Sequence, residues 1–185
     1  MTLLITGLIL WIAAHFFKRL APGLRAPMGM AGKGVVAVVL LLSVVLMVKG
    51  FRSAGSEEVY APLAGMGPVN NTLMLIAVFL AGAAKGKGIV AARLRHPMLW
   101  GAVVWAIAHL LVNGDQASLV LFGGIGLWAL AQMALINRAE GAWQRPAMGP
   151  ISGDAKIAVA TLVLYGLIGW IHIWLGYNPF SGTYS

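Results

Sequence analysis

Long apolar runs alternate along this chain with short polar, mostly basic segments. A membrane helix needs roughly 20 mostly apolar residues. Six runs meet or approach that length: TLLITGLILWIAAHFFKRL (about 2–20), GVVAVVLLLSVVLMVKGF (about 34–51), VNNTLMLIAVFLAGAAKGKGIV (about 69–90), PMLWGAVVWAIAHLLVN (about 97–113), QASLVLFGGIGLWALAQMALIN (about 116–137) and KIAVATLVLYGLIGWIHIWLGY (about 156–177). The third is the weakest, because Lys85 and Lys87 shorten its apolar part. The pattern predicts an all-α, polytopic bundle of about six transmembrane helices, in a single domain over residues 1–185.

Charge predicts the orientation. Eleven of the 13 lysines and arginines lie between runs one and two, three and four, or five and six. Cytoplasmic loops collect Lys and Arg, so both termini are expected on the periplasmic side of a bacterial inner membrane. Trp170, Trp174 and Tyr177 cluster near the outer end of run six, where amphipathic rings prefer to sit.

Composition agrees. Hydrophobic residues are 60% and charged residues 10%, with mean hydropathy +0.87; a soluble domain carries roughly 25% charged residues. The net charge of +8 is accounted for by the basic loops and gives no reason to expect nucleic acid. The chain has no cysteine, which excludes disulfides, thiolate metal sites and covalently attached c-type haem. The N-terminus has no basic region before its apolar run and no small-residue cleavage site, so it reads as a retained first helix.

The polar residues inside the runs carry the candidate chemistry. An ionisable group in a bilayer is costly and is a functional hypothesis by default, although neutral histidine is the least costly. His109 lies in the outer half of run four, with Trp105 one turn before it and Asn113 one turn after it, all on one helical face. It reads either as an axial haem or metal ligand or as an interhelical hydrogen bond. His15 stands just before Lys18 and Arg19, at the inner end of run one. His172 lies in the outer aromatic belt. His96 precedes Pro97, a residue suited to a first helical turn, and either caps run four or joins Arg93 and Arg95 on an anionic group. Helical rise pairs His109 with His172 in depth, and His15 with His96. Asp115, in the turn NGDQAS, suits the N-cap of run five; a ligand or proton-relay role is its alternative. Glu57 and Glu58 read as solvated charge. Gly101, Gly123, Gly124 and Gly126 mark close helix contacts, or a face for a flat cofactor.

RHPMLWGAVVWAIAHLLVNGDQASLVLFGG, residues 95 to 124, resembles the signature of the NnrU family, and HFFKRLAPGLR and LMVKGFRSAG resemble it too. The resemblance covers nearly the whole chain. It implies a role in bacterial denitrification, supporting nitrite and nitric oxide reduction, with membrane lipids and a nitrite or nitric oxide reductase complex as partners. The same family includes the plant 15-cis-zeta-carotene isomerase, a haem b enzyme. Its first-helix histidine, Arg-His-Pro run and Leu-Ala-His are matched here by His15, Arg95-His96-Pro97 and His109. The resemblance therefore implies haem b with His109 and His15 as axial ligands, whereas the depth pairing of His109 with His172 keeps His172 in reserve as the second ligand. That isomerase has a cysteine where this chain has Ala106, which removes any thiolate ligand switch and counts against isomerisation. The R-H-P-x-x-x-G run, Arg95 to Gly101, also resembles isoprenylcysteine and phospholipid methyltransferases; residues 138–156 are poorly suited to closing over a methyl donor. A cofactor-free assembly partner of a respiratory reductase is a further reading.

Overall fold

The computed structural model describes residues 1–55 and 57–181. Among these the helices are α1 (Thr2–Leu20), α2 (Pro22–Arg25), α3 (Gly29–Ser53), α4 (Gly67–Ala83), α5 (Ile89–Arg93), α6 (Pro97–Leu110), α7 (Gln116–Ser118), α8 (Gly124–Glu140) and α9 (Ile151–Trp174). A π-helical segment, Leu119–Gly123, joins α7 to α8, so Gln116–Glu140 forms one continuous rod. No strand occurs among the described residues, and Glu58 and Asp115 form an isolated antiparallel bridge.

Helices α1, α3, the rod and α9 are long and apolar enough to cross a membrane. The other two expected spans are shorter, with 17 residues in α4 and 14 in α6. At 1.5 Å of rise per residue these reach about 26 and 21 Å, against a hydrocarbon core of about 30 Å. The predicted third and fourth runs overshoot for local reasons. Gly86 and Gly88 follow Lys85 and interrupt the first, and the Asn113-Gly114 turn ends the second. Prolines mark the starts of α2, α4 and α6, where a missing N–H costs nothing. Gly141 and Gly176, with φ of 68° and 93°, end α8 and α9 in a conformation that favours glycine.

The long helices form a row. α3 packs on α1, α1 on the rod, the rod on α6, α6 on α4, and α4 on α9. The surface of 11126 Å² exceeds the roughly 8,500 Å² expected of a compact monomer of this mass, as an open row requires. The row is held by close backbone approach. A Cβ on Gly7 would lie 2.7 Å from the Ser43 carbonyl oxygen, and one on Gly50 would lie 2.8 Å from the Leu3 carbonyl carbon. One on Gly101 would lie 2.8 Å from the Ala77 carbonyl oxygen, and one on Gly126 3.0 Å from the Ala106 Cβ. Without a hydrophobic drive between helices in lipid, such contacts supply the packing energy. The buried core sits where α1, α3 and α6 meet the rod: Leu4, Met47, Val103, Ile125, Trp128 and Met133.

Polar ties close both ends. At the basic end, Glu140 receives Arg19 at 3.1 Å and Arg95 at 3.7 Å, and Arg95 donates to the Gly141 carbonyl at 2.8 Å. Asp154, in the first turn of α9, accepts the Ile89 N–H at 2.7 Å and so caps α5. At the opposite end the Asp115 carboxylate accepts the Ser118 N–H at 2.9 Å and the Ser118 hydroxyl at 2.6 Å, so the expected N-cap is present. The exposed loop containing Glu57 and Glu58 lies against that turn: Val59 N–H donates to the Gly114 carbonyl, and Gln116 N–H to the Glu57 carbonyl, each at 2.9 Å. The Tyr60 hydroxyl proton is shared between the Leu110 and Asn113 carbonyls. Burial, then the nearby Asp115 charge, pushes the Tyr60 pKa above its ordinary value and keeps that proton in place.

Gly50→Leu is expected to lose about 1–3 kcal/mol through overpacking, read as a lower Tm in detergent. Gly34→Ala, which meets nothing within 4 Å, is expected to leave Tm unchanged or slightly raised. Asp115→Ala is expected to cost about 1 kcal/mol through loss of the cap, measured in the same way.

Candidate functional site

Three histidines lie within the long apolar helices, and all three adopt one local arrangement. His15 Nδ1 lies 2.9 Å from the Trp11 carbonyl, His109 Nδ1 2.9 Å from the Trp105 carbonyl, and His172 Nδ1 2.8 Å from the Ile168 carbonyl. A carbonyl only accepts, so each Nδ1 carries the proton and donates it one turn back. The lone pair is then on Nε2. This is the state a ligating imidazole needs, with its other nitrogen oriented by a hydrogen bond.

Aromatic rings fix two of these imidazoles further. His15 lies 4.3 Å from Trp11 and 4.5 Å from Trp128, centroid to centroid, and the two indoles are 5.2 Å apart and edge to face. His109 stacks on Phe122 at 4.4 Å and 24°, with Trp105 at 4.9 Å. Phe122 also meets Trp105 at 4.9 Å and Phe51 at 6.1 Å. It sits in the π-helical segment, a wide turn that recurs at functional sites.

The rod relates the two cages. Its contacts with His109 and His15 are Phe122 and Trp128, six residues apart, or about 9 Å along the helix. α1 runs parallel to the rod, with Leu8 near Gly124 and Arg19 at Glu140; α6 runs antiparallel to it, with Ala106 near Gly126 and His96 at Asn137. Side chains lean toward the N-terminus of their own helix. Along the rod, His15 on α1 and His109 on α6 therefore lean toward a common level, from the two sides on which those helices pack.

The other expected site residues occupy distinct places. His172 stands in the last turn of α9, which packs on α4. His15 and His96 do not pair: their rod partners, Trp128 and Asn137, are nine residues apart. His96 stands at the N-cap position of α6, but its side chain makes no capping bond; its Nε2 lies 2.8 Å from Asn137 Oδ1 instead. Arg95 is engaged by Glu140 and the Gly141 carbonyl. Asn113 donates to the His109 carbonyl at 2.8 Å, which satisfies the end of α6. Gly124 and Gly126 face Leu8 and Ala106, as helix-packing positions do, and nothing lies within 4 Å of a Cβ on Gly123. Residues Pro146 to Pro150 pack beside the Gly86–Gly88 turn.

Among the described residues no three of His, Asp and Glu converge on one metal-sized point. The donor set offered is imidazole alone. Trp11, Trp128 and the Arg19–Glu140 tie did not stand out in the sequence. The four-residue spacing of Trp11 and His15, repeated in Trp105 and His109, was the available signal.

A family model described as NnrU protein matches residues 3–179. No curated protein and no solved structure matches the chain. With nearly its whole length matched, the chain belongs to the NnrU family of proteins.

Proposed function

We propose that this protein is a haem b membrane protein with His109 and His15 as axial ligands, supporting nitrite and nitric oxide reduction in the bacterial inner membrane. The observation that carries this reading is the matched pair of imidazoles. Each is pinned through Nδ1, clad in aromatic rings, free at Nε2, and tilted along the rod toward the other's level. Haem iron takes two axial ligands, and histidine suits both positions. Bound there, haem would supply reversible one-electron exchange.

This chain's own residues do the rest. The Trp11 and Trp105 carbonyls hold the imidazole tautomers. Trp128 and Phe122 fix the ring planes and keep bulk water away. The Tyr60 loop covers the end of α6 just past His109. The Glu140 tie keeps α1 and α6 on the rod, which sets the separation of the two histidines. The basic loops favour an orientation with both termini and the His109 end of α6 on the periplasmic side. A reductase complex in the same membrane is the partner, and the lipid-exposed faces of α3 and α9 are the surfaces open to it.

The test is an absorption spectrum of the protein purified in mild detergent, oxidised and then reduced with dithionite. The expected result is a Soret band that shifts on reduction, is lost in His109→Ala and His15→Ala, and persists in His172→Ala. Each variant is checked for monodispersity by size exclusion. Absence of a Soret band in the folded wild type, after haem has been supplied, would overturn the reading.

A further inference from the structure

The cations at the basic end of the bundle are unevenly neutralised. Two carboxylates stand there, and both are engaged: Glu140 takes Arg19 and Arg95, and Asp154 accepts the Ile89 N–H. His96, next to Arg95, lies on Asn137. Lys85, Lys87, Arg93 and Arg145 are exposed and form no ion pair among the described residues. Arg145 lies over the Trp143 ring at 5.6 Å, which leaves its N–H groups unused. These four cations belong to two chain segments, 85–93 and 141–150, that meet at one place.

Glycine makes the meeting possible. A Cβ on Gly149 would collide with the Lys87 carbonyl oxygen, and one on Gly153 would lie 3.1 Å from the Gly88 Cα. Beside this contact the segments enclose a cleft of about 390 Å³, lined by the Gly86–Gly88 turn, Ala91 and Ala92 on one side and by Pro146 to Pro150 on the other. Lys87 is part of its wall, and Arg93 and Arg145 directly adjoin Ala92 and Pro146 in the chain. Small side chains leave the backbone of the walls open. The N–H groups of Lys87, Gly88, Ala147, Met148 and Gly149 donate to no acceptor among the described residues, although Gly88 is buried. Runs of free N–H groups next to cations suit an anion with several acceptor oxygens. Asp154 does not line the cleft.

The level of the cleft narrows the identity of that anion. It lies just beyond the end of α4 and directly before the start of α9, where membrane spans enter the headgroup layer. Cytoplasmic leaflets carry anionic lipids, and basic pockets between spans attract them. Exposed Met148 and Ile151 adjoin the cleft, and exposed Val159, Leu162 and Val163 continue from them along α9. That apolar path suits acyl chains and has no use for a phosphate dissolved in water.

We propose that this cleft is a binding site for the headgroup phosphate of an anionic phospholipid. The free N–H groups of its walls donate to the phosphate oxygens. Lys87, Arg93 and Arg145 offset the charge, and the acyl chains lie along α9. The site is separate from the haem reading and shares no residue with it. It differs from a basic face that merely orients the chain, because there every cation would count alike.

The experiment is equilibrium binding of tritiated dioleoyl phosphatidylglycerol to the full-length protein in detergent. It is repeated with dioleoyl phosphatidylcholine, which has the same chains and no net charge, and with inorganic phosphate as competitor. Saturable binding of phosphatidylglycerol is expected, weakening as salt is raised. Affinity is expected to fall about fivefold in Lys87→Gln and in Arg145→Gln, the loss of one cation near an anionic headgroup. Lys33→Gln, on the same basic end, and Arg52→Gln, at the opposite end, are expected to bind as wild type. Binding that persists in His109→Ala separates this site from the haem proposal. No saturable binding, an equal loss in Lys33→Gln, equal affinity for phosphatidylcholine, or displacement by inorganic phosphate as effective as by unlabelled phosphatidylglycerol would overturn the assignment.

Discussion

The two halves of the helix row meet along the rod Gln116–Glu140, and the candidate site depends on that contact. α1 and α3 pack on one side of it, α6 and α4 on the other. Gly126 lets α6 approach through Ala106, and Gly124 receives Leu8 of α1. The Glu140 carboxylate then takes one arginine from each side, Arg19 and Arg95. The ion pairs are partly exposed and contribute little energy on their own. Their value is geometric, because they fix how far α1 and α6 slide along the rod and therefore the relative depth of His15 and His109.

A second constraint comes from the solvent. Lipid offers no hydrogen bonds, so a polar group in the bundle must be satisfied from within. The histidines meet this locally by donating to the carbonyl one turn back. The solution uses one nitrogen and leaves the other with its lone pair. Structural satisfaction and readiness to ligate thus arise from the same bond. Trp11 and Trp128 have no comparable local option, because an indole N–H cannot reach its own helix backbone as an imidazole does, and their Nε1 atoms are among the buried polar atoms without a partner among the described residues.

The helical class, the six apolar runs and the Asp115 cap were legible in the sequence because each is a local property of hydropathy or turn chemistry. The family was legible in residues 95 to 124. Other features were not. The lengths of α4 and α6 depend on where Gly86 and Asn113-Gly114 break the backbone, which an apolar run does not reveal. His96 looked like a cap, but its ring reaches Asn137, forty-one residues away. Nothing in the sequence singled out Glu140, which is the tie between two helices. Trp128, in the apolar run LWALAQM, gave no sign that it would close a triangle with Trp11 and His15. These are long-range facts, set by how α1 and α6 cross the rod.

The most direct measurement of the central claim is the low-temperature electron paramagnetic resonance spectrum of the oxidised protein. Two imidazoles on one iron predict a low-spin, six-coordinate ferric signal in the wild type, lost together with the Soret band when either His15 or His109 is removed. A high-spin signal in the wild type, or a low-spin signal that survives removal of His15, would contradict the pairing of these two histidines across the rod.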